Sequence, residues 1–143
     1  MSDFSQRRCQ IIYVLSLIAI VLSIITALVV TYLGITDLIY LHSFSVVFYI
    51  LSAIFAKKRS LKIPRIIYFL TFNIGIAVSS SYIGQEGGIE FMLMFLLCLP
   101  FLVFSYKSEK VLMGLFSLIS ILLWASLYIS DFNLVTTSKI DIE

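Results

Sequence analysis

Hydrophobic positions in this chain run in long blocks instead of alternating. Five stretches carry no charged residue: 9–36, 38–56, 66–85, 91–106 and 111–130, which are 28, 19, 20, 16 and 20 residues long. A helix rises about 1.5 Å per residue, so roughly 20 apolar residues cross a bilayer core of about 30 Å. The blocks predict an all-α fold, a polytopic membrane bundle of five transmembrane helices. Their expected bounds are 11–33, 38–56, 66–83, 89–106 and 111–129, with a ten-residue N-terminus before them and a polar tail over 131–143. The connections are so short that nothing remains for a soluble domain that would bind a nucleotide or DNA.

Turn chemistry punctuates the blocks. Gly34 closes the first, and Thr36 or Asp37 is placed to cap the second helix. A basic loop follows, with Lys57, Lys58, Arg59, Lys62 and Arg65, and Pro64 suits the first turn of the third helix. Gly84-Gln85-Glu86-Gly87-Gly88 reads as a turn. Composition points the same way. The chain is 61% hydrophobic and 13% charged, where soluble domains sit near about 45–50% and 25%.

Charge sets the expected orientation. Nine of the ten Lys and Arg residues fall in the N-terminus, the loop after helix 2 and the loop after helix 4; the tenth is Lys139. Asp37, Glu86, Glu90, Asp131, Asp141 and Glu143 fall on the opposite side. Loops rich in Lys and Arg stay in the cytoplasm. The N-terminus is therefore expected inside and the C-terminus outside, in a bacterial inner membrane. Arg7 and Arg8 precede an apolar run far longer than the roughly 7–15 residues of a signal peptide, so the first span is expected to be retained. Cys9 at the boundary and Cys98 inside helix 4 are too far apart in depth to pair, and both are expected as free thiols. With one histidine and no pair of CxxC motifs, neither a metal nor another cofactor is expected.

From helix 2 onward, several runs occur in a telling order. The basic loop leads into Ile63-Pro64-Arg65-Ile66-Ile67 and a third helix centred on Asn73. Gly84-Gln85-Glu86-Gly87-Gly88-Ile89-Glu90 forms a glycine–acidic–glycine turn. Leu99-Pro100-Phe101-Leu102-Val103-Phe104-Ser105 follows, and then Lys107-Ser108-Glu109-Lys110. Over 38–130 this resembles the six-helix membrane input module at the N-terminus of some bacterial sensor histidine kinases and membrane-bound nucleotide cyclases. The resemblance implies a sensory bundle that passes a signal to an output partner. It also implies a sixth span and a kinase or cyclase domain, neither of which these 143 residues contain. The chain is thus expected to be no enzyme itself, but a fragment, truncated product or stand-alone relative of such a module.

Polar residues inside the spans are the candidates for chemistry. His42, Ser45, Tyr49 and Ser52 are spaced i, i+3, i+7 and i+10, on one face of helix 2. Helix 3 offers Asn73, Ala77, Ser80 or Ser81, and Gly84. Helix 4 offers Glu90, Met94, Cys98, Phe101 and Ser105. Polar groups are costly against lipid, so these faces are predicted to point inward. His42, Ser81, Gln85 and Glu90 lie near the outer ends of their helices. They either line a small ligand pocket open to that face, or serve as interhelical hydrogen bonds and an interfacial carboxylate. With Tyr49 and Asn73 they form the candidate ligand-binding set. The 16 charge-free residues of helix 4 rise about 24 Å, which places Glu90 at the interface. Pro100 deletes a backbone bond and is the candidate hinge, or else a kink that neighbouring helices tolerate. Tyr32, Tyr40, Tyr82, Trp124 and Tyr128 near outer ends, and Tyr68 and Tyr106 near inner ends, read as an interfacial belt.

No span carries a Lys, Arg or Asp at its middle, which argues against a pump, and no catalytic motif is present. The leading expectation is a membrane sensory module without its output domain, with the lipid bilayer, an output protein and further copies of itself as partners. The alternatives are a small transporter or channel subunit acting as an oligomer, or an accessory protein whose role is interaction.

Overall fold

The computed structural model describes residues 3–58 and 62–132, without the side chains of residues 3–5 and Glu86. The expected tail beyond 132, with Lys139, and Arg59 of the basic loop lie outside the described residues. Six helices follow one another: α1 (Asp3–Tyr32), α2 (Thr36–Lys57), α3 (Lys62–Ile83), α4 (Phe91–Cys98), α5 (Pro100–Val103) and α6 (Lys110–Ile129), with a 3₁₀ turn at Gln85–Gly87. α1, α2, α3 and α6 are long and apolar enough to cross a membrane. The fold is all-α among the described residues. α1 begins eight residues earlier than expected, because the charges at Arg7 and Arg8 do not stop a helix. The chain divides into two compact units, Met1–Phe72 and Asn73–Glu143, with α3 shared between them.

In the first unit α1 and α2 pack as a hairpin. α1 buries Cys9, Ile12, Ser16, Ala19, Ser23 and Val30, and α2 buries Leu38, Ser45, Tyr49, Ser52, Ala53 and Ala56. Positions 9, 16, 23 and 30, like 38, 45 and 52, repeat every seven residues. That is the period of a left-handed helix seam, and small side chains let the backbones approach closely. Ser52 Oγ donates to Pro64 O at 2.9 Å, and Ser16 Oγ lies 2.9 Å from Ser52 Oγ. Since Ser52 spends its one proton on Pro64, Ser16 donates to Ser52. The relay ties α1, α2 and the start of α3 together.

The hairpin turn is made by Gly34. Its amide bonds to Thr31 O and the Ile35 amide to Val30 O, while Gly34 adopts φ +75°. This is the paired closure that ends helices at a left-handed residue, and Val30 and Ile35 sit at its two hydrophobic positions. The expected side-chain cap of α2 is not made. Ile35 occupies the cap position without a capping bond, and Thr36 and Asp37 fall inside the first turn. Asp37 still complements the helix dipole there.

The second unit holds the end of α3, then α4, α5 and α6. The predicted fourth helix, 89–106, is shorter and broken. Pro100 separates α4 from α5, and the apolar segment is Phe91–Val103, about 20 Å of helix. Leu99 keeps helical angles, so Pro100 removes a bond without a sharp turn of the chain. Ser117 Oγ donates to Leu97 O at 3.0 Å, a bond from α6 to the end of α4 one residue past the carbonyl that Pro100 leaves without its amide. Phe104 is extended and stacks on Phe116 at 5.6 Å. Glu109 then closes the loop, accepting from the Ser105 amide at 2.9 Å.

The buried face of α4 and α5 also differs from the expected one. Leu93, Leu96, Leu99 and Val103 are enclosed, while Met94, Cys98 and Phe101 are exposed. Glu90 precedes α4 and is not in register with its polar positions, so the apolar face wins the contact with α6. Neither cysteine forms a disulfide.

Many large apolar side chains lie outside while several serine hydroxyls are enclosed. Leu28 is 67% exposed and Phe44 66%, whereas Ser16, Ser52, Ser80 and Ser81 are fully buried. Such a surface suits acyl chains, and a solvent without hydrogen-bonding groups drives the hydroxyls inward.

Candidate functional site

The turn after α3 positions the site. Gly84 adopts φ +82° and ψ −177°, a conformation essentially reserved for glycine, and stops the helix. Gly88 is left-handed, and a Cβ on Gly87 would strike the Ile83 side chain. These glycines compress the chain into a 3₁₀ turn that delivers Glu90 to the start of α4.

Glu90 is 1% exposed. Glu90 is enclosed by protein because the glycine turn tucks it beside the last turn of α6. Tyr128 Oη donates to Glu90 Oε1 at 3.3 Å, and the Gln85 side chain hydrogen-bonds to the same hydroxyl. Glu90 Oε2 is buried with no hydrogen-bond partner among the described residues. Ser80 Oγ on α3 and Trp124 Nε1 on α6 are buried without partners as well. Trp124 packs on Tyr128 at 4.8 Å, and Tyr128 packs edge-on against Phe132 at 5.2 Å. α6 ends in the same paired closure as α1: the Asp131 amide bonds to Tyr128 O and the Phe132 amide to Leu127 O.

Deeper in this unit Ser120 Oγ lies 2.9 Å from Asn73 Oδ1, to which it donates, and 3.2 Å from Phe116 O. Asn73 is thus an interhelical anchor between α3 and α6. A groove of about 210 Å³ between α4 and α6 is lined by Leu93, Met94, Leu97, Ser120, Ile121 and Trp124.

The remaining candidates fall out as follows. Ser81 is fully buried and bonds back to Ala77 O at 3.0 Å, which occupies its proton within its own helix. In the first unit, Tyr49 sits in an aromatic cluster with Tyr68 at 5.8 Å and Phe72 at 6.3 Å. His42 lies on the stripe that α2 buries, half-buried, its Nε2 enclosed and without a hydrogen-bond partner among the described residues. Pro100 is buried at the α4–α5 break. Of the six candidate ligand residues, Gln85 and Glu90 meet through Tyr128. The belt pattern gave Tyr128 no such part. Arg65, counted with the basic loop, is 1% exposed within the first turns of α3.

No family model matches the chain, and no curated protein or solved structure is similar to it.

Proposed function

We propose that the protein is an integral membrane input module, with its N-terminus and basic loops on the cytoplasmic face of a bacterial inner membrane. A stimulus acts at the end of the second unit where α4 begins and α6 ends, and changes how these helices pack. The observation that supports this reading is Glu90: an enclosed carboxylate bridging two helices, with one oxygen left unsatisfied. An ionisable group within a membrane bundle is retained for a function, since it is costly to bury. The signal would pass to a separate output protein, as the resemblance of residues 38–130 to sensor modules implies.

The same carboxylate favours a second reading, a small transporter subunit. Flux separates the two. Proteoliposomes loaded with a pH-sensitive dye and held under a potassium diffusion potential should show no proton entry above that of empty vesicles. Proton entry abolished by Glu90→Gln would replace the input module with a transporter.

A further inference from the structure

We propose that the charged end of the first unit, where α1 begins, α2 ends and α3 begins, is a binding surface for anionic phospholipid. This rests on the reading that the basic segments lie at the cytoplasmic face of a membrane, and it names a partner there. The lipid phosphate sits among the cations, and its acyl chains lie along the apolar helix faces beside them.

The serine relay sets the level of the charges. Ser16 meets Ser52, and Ser52 meets Pro64 O. Arg8 lies eight residues from Ser16, about 12 Å at the helical rise. Lys58 lies six residues from Ser52, about 9 Å in the same direction, because α1 and α2 form a hairpin. Lys62 stands two residues before Pro64. Arg7, Arg8, Lys57, Lys58 and Lys62 are thus gathered at one end, and all but the half-buried Arg8 are exposed. Up to Phe72 the chain has two acids, and one of them, Asp37, begins α2 at the opposite end. Asp3 is the other, and the cations outnumber it. The loop before α6 differs, since Lys107 and Lys110 flank Glu109, whose carboxylate offsets part of their charge. Like charges held together repel, and a phosphate among lysine and arginine donors relieves the repulsion. The rest of the ligand is read from the faces beside the cations. On α1, Arg7, Ile11 and Val14 are spaced i, i+4 and i+7. On α2, Lys58, Ile54 and Leu51 repeat that spacing in reverse, so each cation heads a helix face of exposed aliphatic side chains. A phosphate joined to acyl chains matches this order of cation and then hydrocarbon. An acidic protein outside the membrane would meet the cations alone, so lipid is the occupant that the surface favours.

Native mass spectrometry of the intact chain in a neutral detergent, titrated with phosphatidylglycerol or with phosphatidylcholine, tests this. Phosphatidylglycerol should bind more tightly, by about fivefold or more. Lys58→Gln and Arg7→Gln should each weaken phosphatidylglycerol binding by up to about fivefold and leave phosphatidylcholine binding unchanged. Lys107→Gln should change it by less than either. Raising the salt from about 0.1 M to about 1 M, which shortens the screening length to about 3 Å, should remove the preference. Equal binding of the two lipids overturns the proposal, and so does a loss in Lys107→Gln as large as that in Lys58→Gln. Equal lipid binding together with saturable, salt-sensitive binding of poly-L-glutamate would assign the surface to an acidic protein instead. Should one variant fail to fold, the other and the salt dependence of the intact chain still decide. Lipid binding in detergent does not depend on which way the chain inserts. A wrong orientation, read by maleimide labelling of position 58, is therefore told apart from failure of the lipid surface.

Discussion

Three glycines show how differently one residue type acts along this chain. Gly34 holds φ +75° with open space where a Cβ would go, so Gly34→Ala meets only backbone strain, about 1 kcal/mol. Gly84 sits where ψ is also forbidden to other residues, and Gly84→Ala should destabilise by about 1–3 kcal/mol. Gly114 lies inside α6 with nothing within 4 Å of a built Cβ, and Gly114→Ala should stabilise by about 0.5–1 kcal/mol through helix propensity. Reversible unfolding in mixed micelles, followed by circular dichroism, should return the three in that order. A Gly84→Ala variant more stable than Gly34→Ala would contradict the turn geometry.

Between elements, hydroxyls do the joining. Ser52→Ala removes both bonds of the relay and strands Ser16, whereas Ser16→Ala removes one. The first should therefore destabilise more than the second, and their double-mutant cycle should show a coupling of about 0.6 kcal/mol, the usual size for such bonds in membrane helices. A coupling near zero would mean the relay is not formed in the bilayer. Much of this was legible beforehand: the face carrying Ser45, Tyr49 and Ser52 is the one α2 buries. Ser16 and Ser117 were not, since a hydroxyl amid aliphatic residues signals nothing until its acceptor on another helix is known.

Across the molecule, the short segment Phe91–Val103 sets the crossing problem. Tyr128 meets Glu90, so α6 ends level with the start of α4. Phe104 meets Phe116, six residues and about 9 Å into α6. The 104–109 loop thus runs alongside the first turns of α6, and Glu109 satisfies the Ser105 amide within it. Single cysteines placed at Lys58 and Lys107, in a chain lacking its own two, should react with a membrane-impermeant maleimide from one side. Cysteines at Thr36 and Gln85 should react only from the other. Labelling of 58 and 107 from opposite sides would mean that the segment does not cross.

The charge-free blocks by themselves determined that the chain is helical and where four long apolar helices lie; the fifth block, expected as a full span, is the shorter, broken segment Phe91–Val103. Block length and apolar content depend only on local composition and on the rise of a helix, so they can be read along the chain. The tertiary structure alone decided that Glu90 is enclosed, that Tyr128 is its partner, and that α4 turns its leucines inward and Met94 and Cys98 outward. Those outcomes depend on which helix ends meet, and a glycine turn and a missing proline amide shift register by a few residues without leaving a trace in the periodicity.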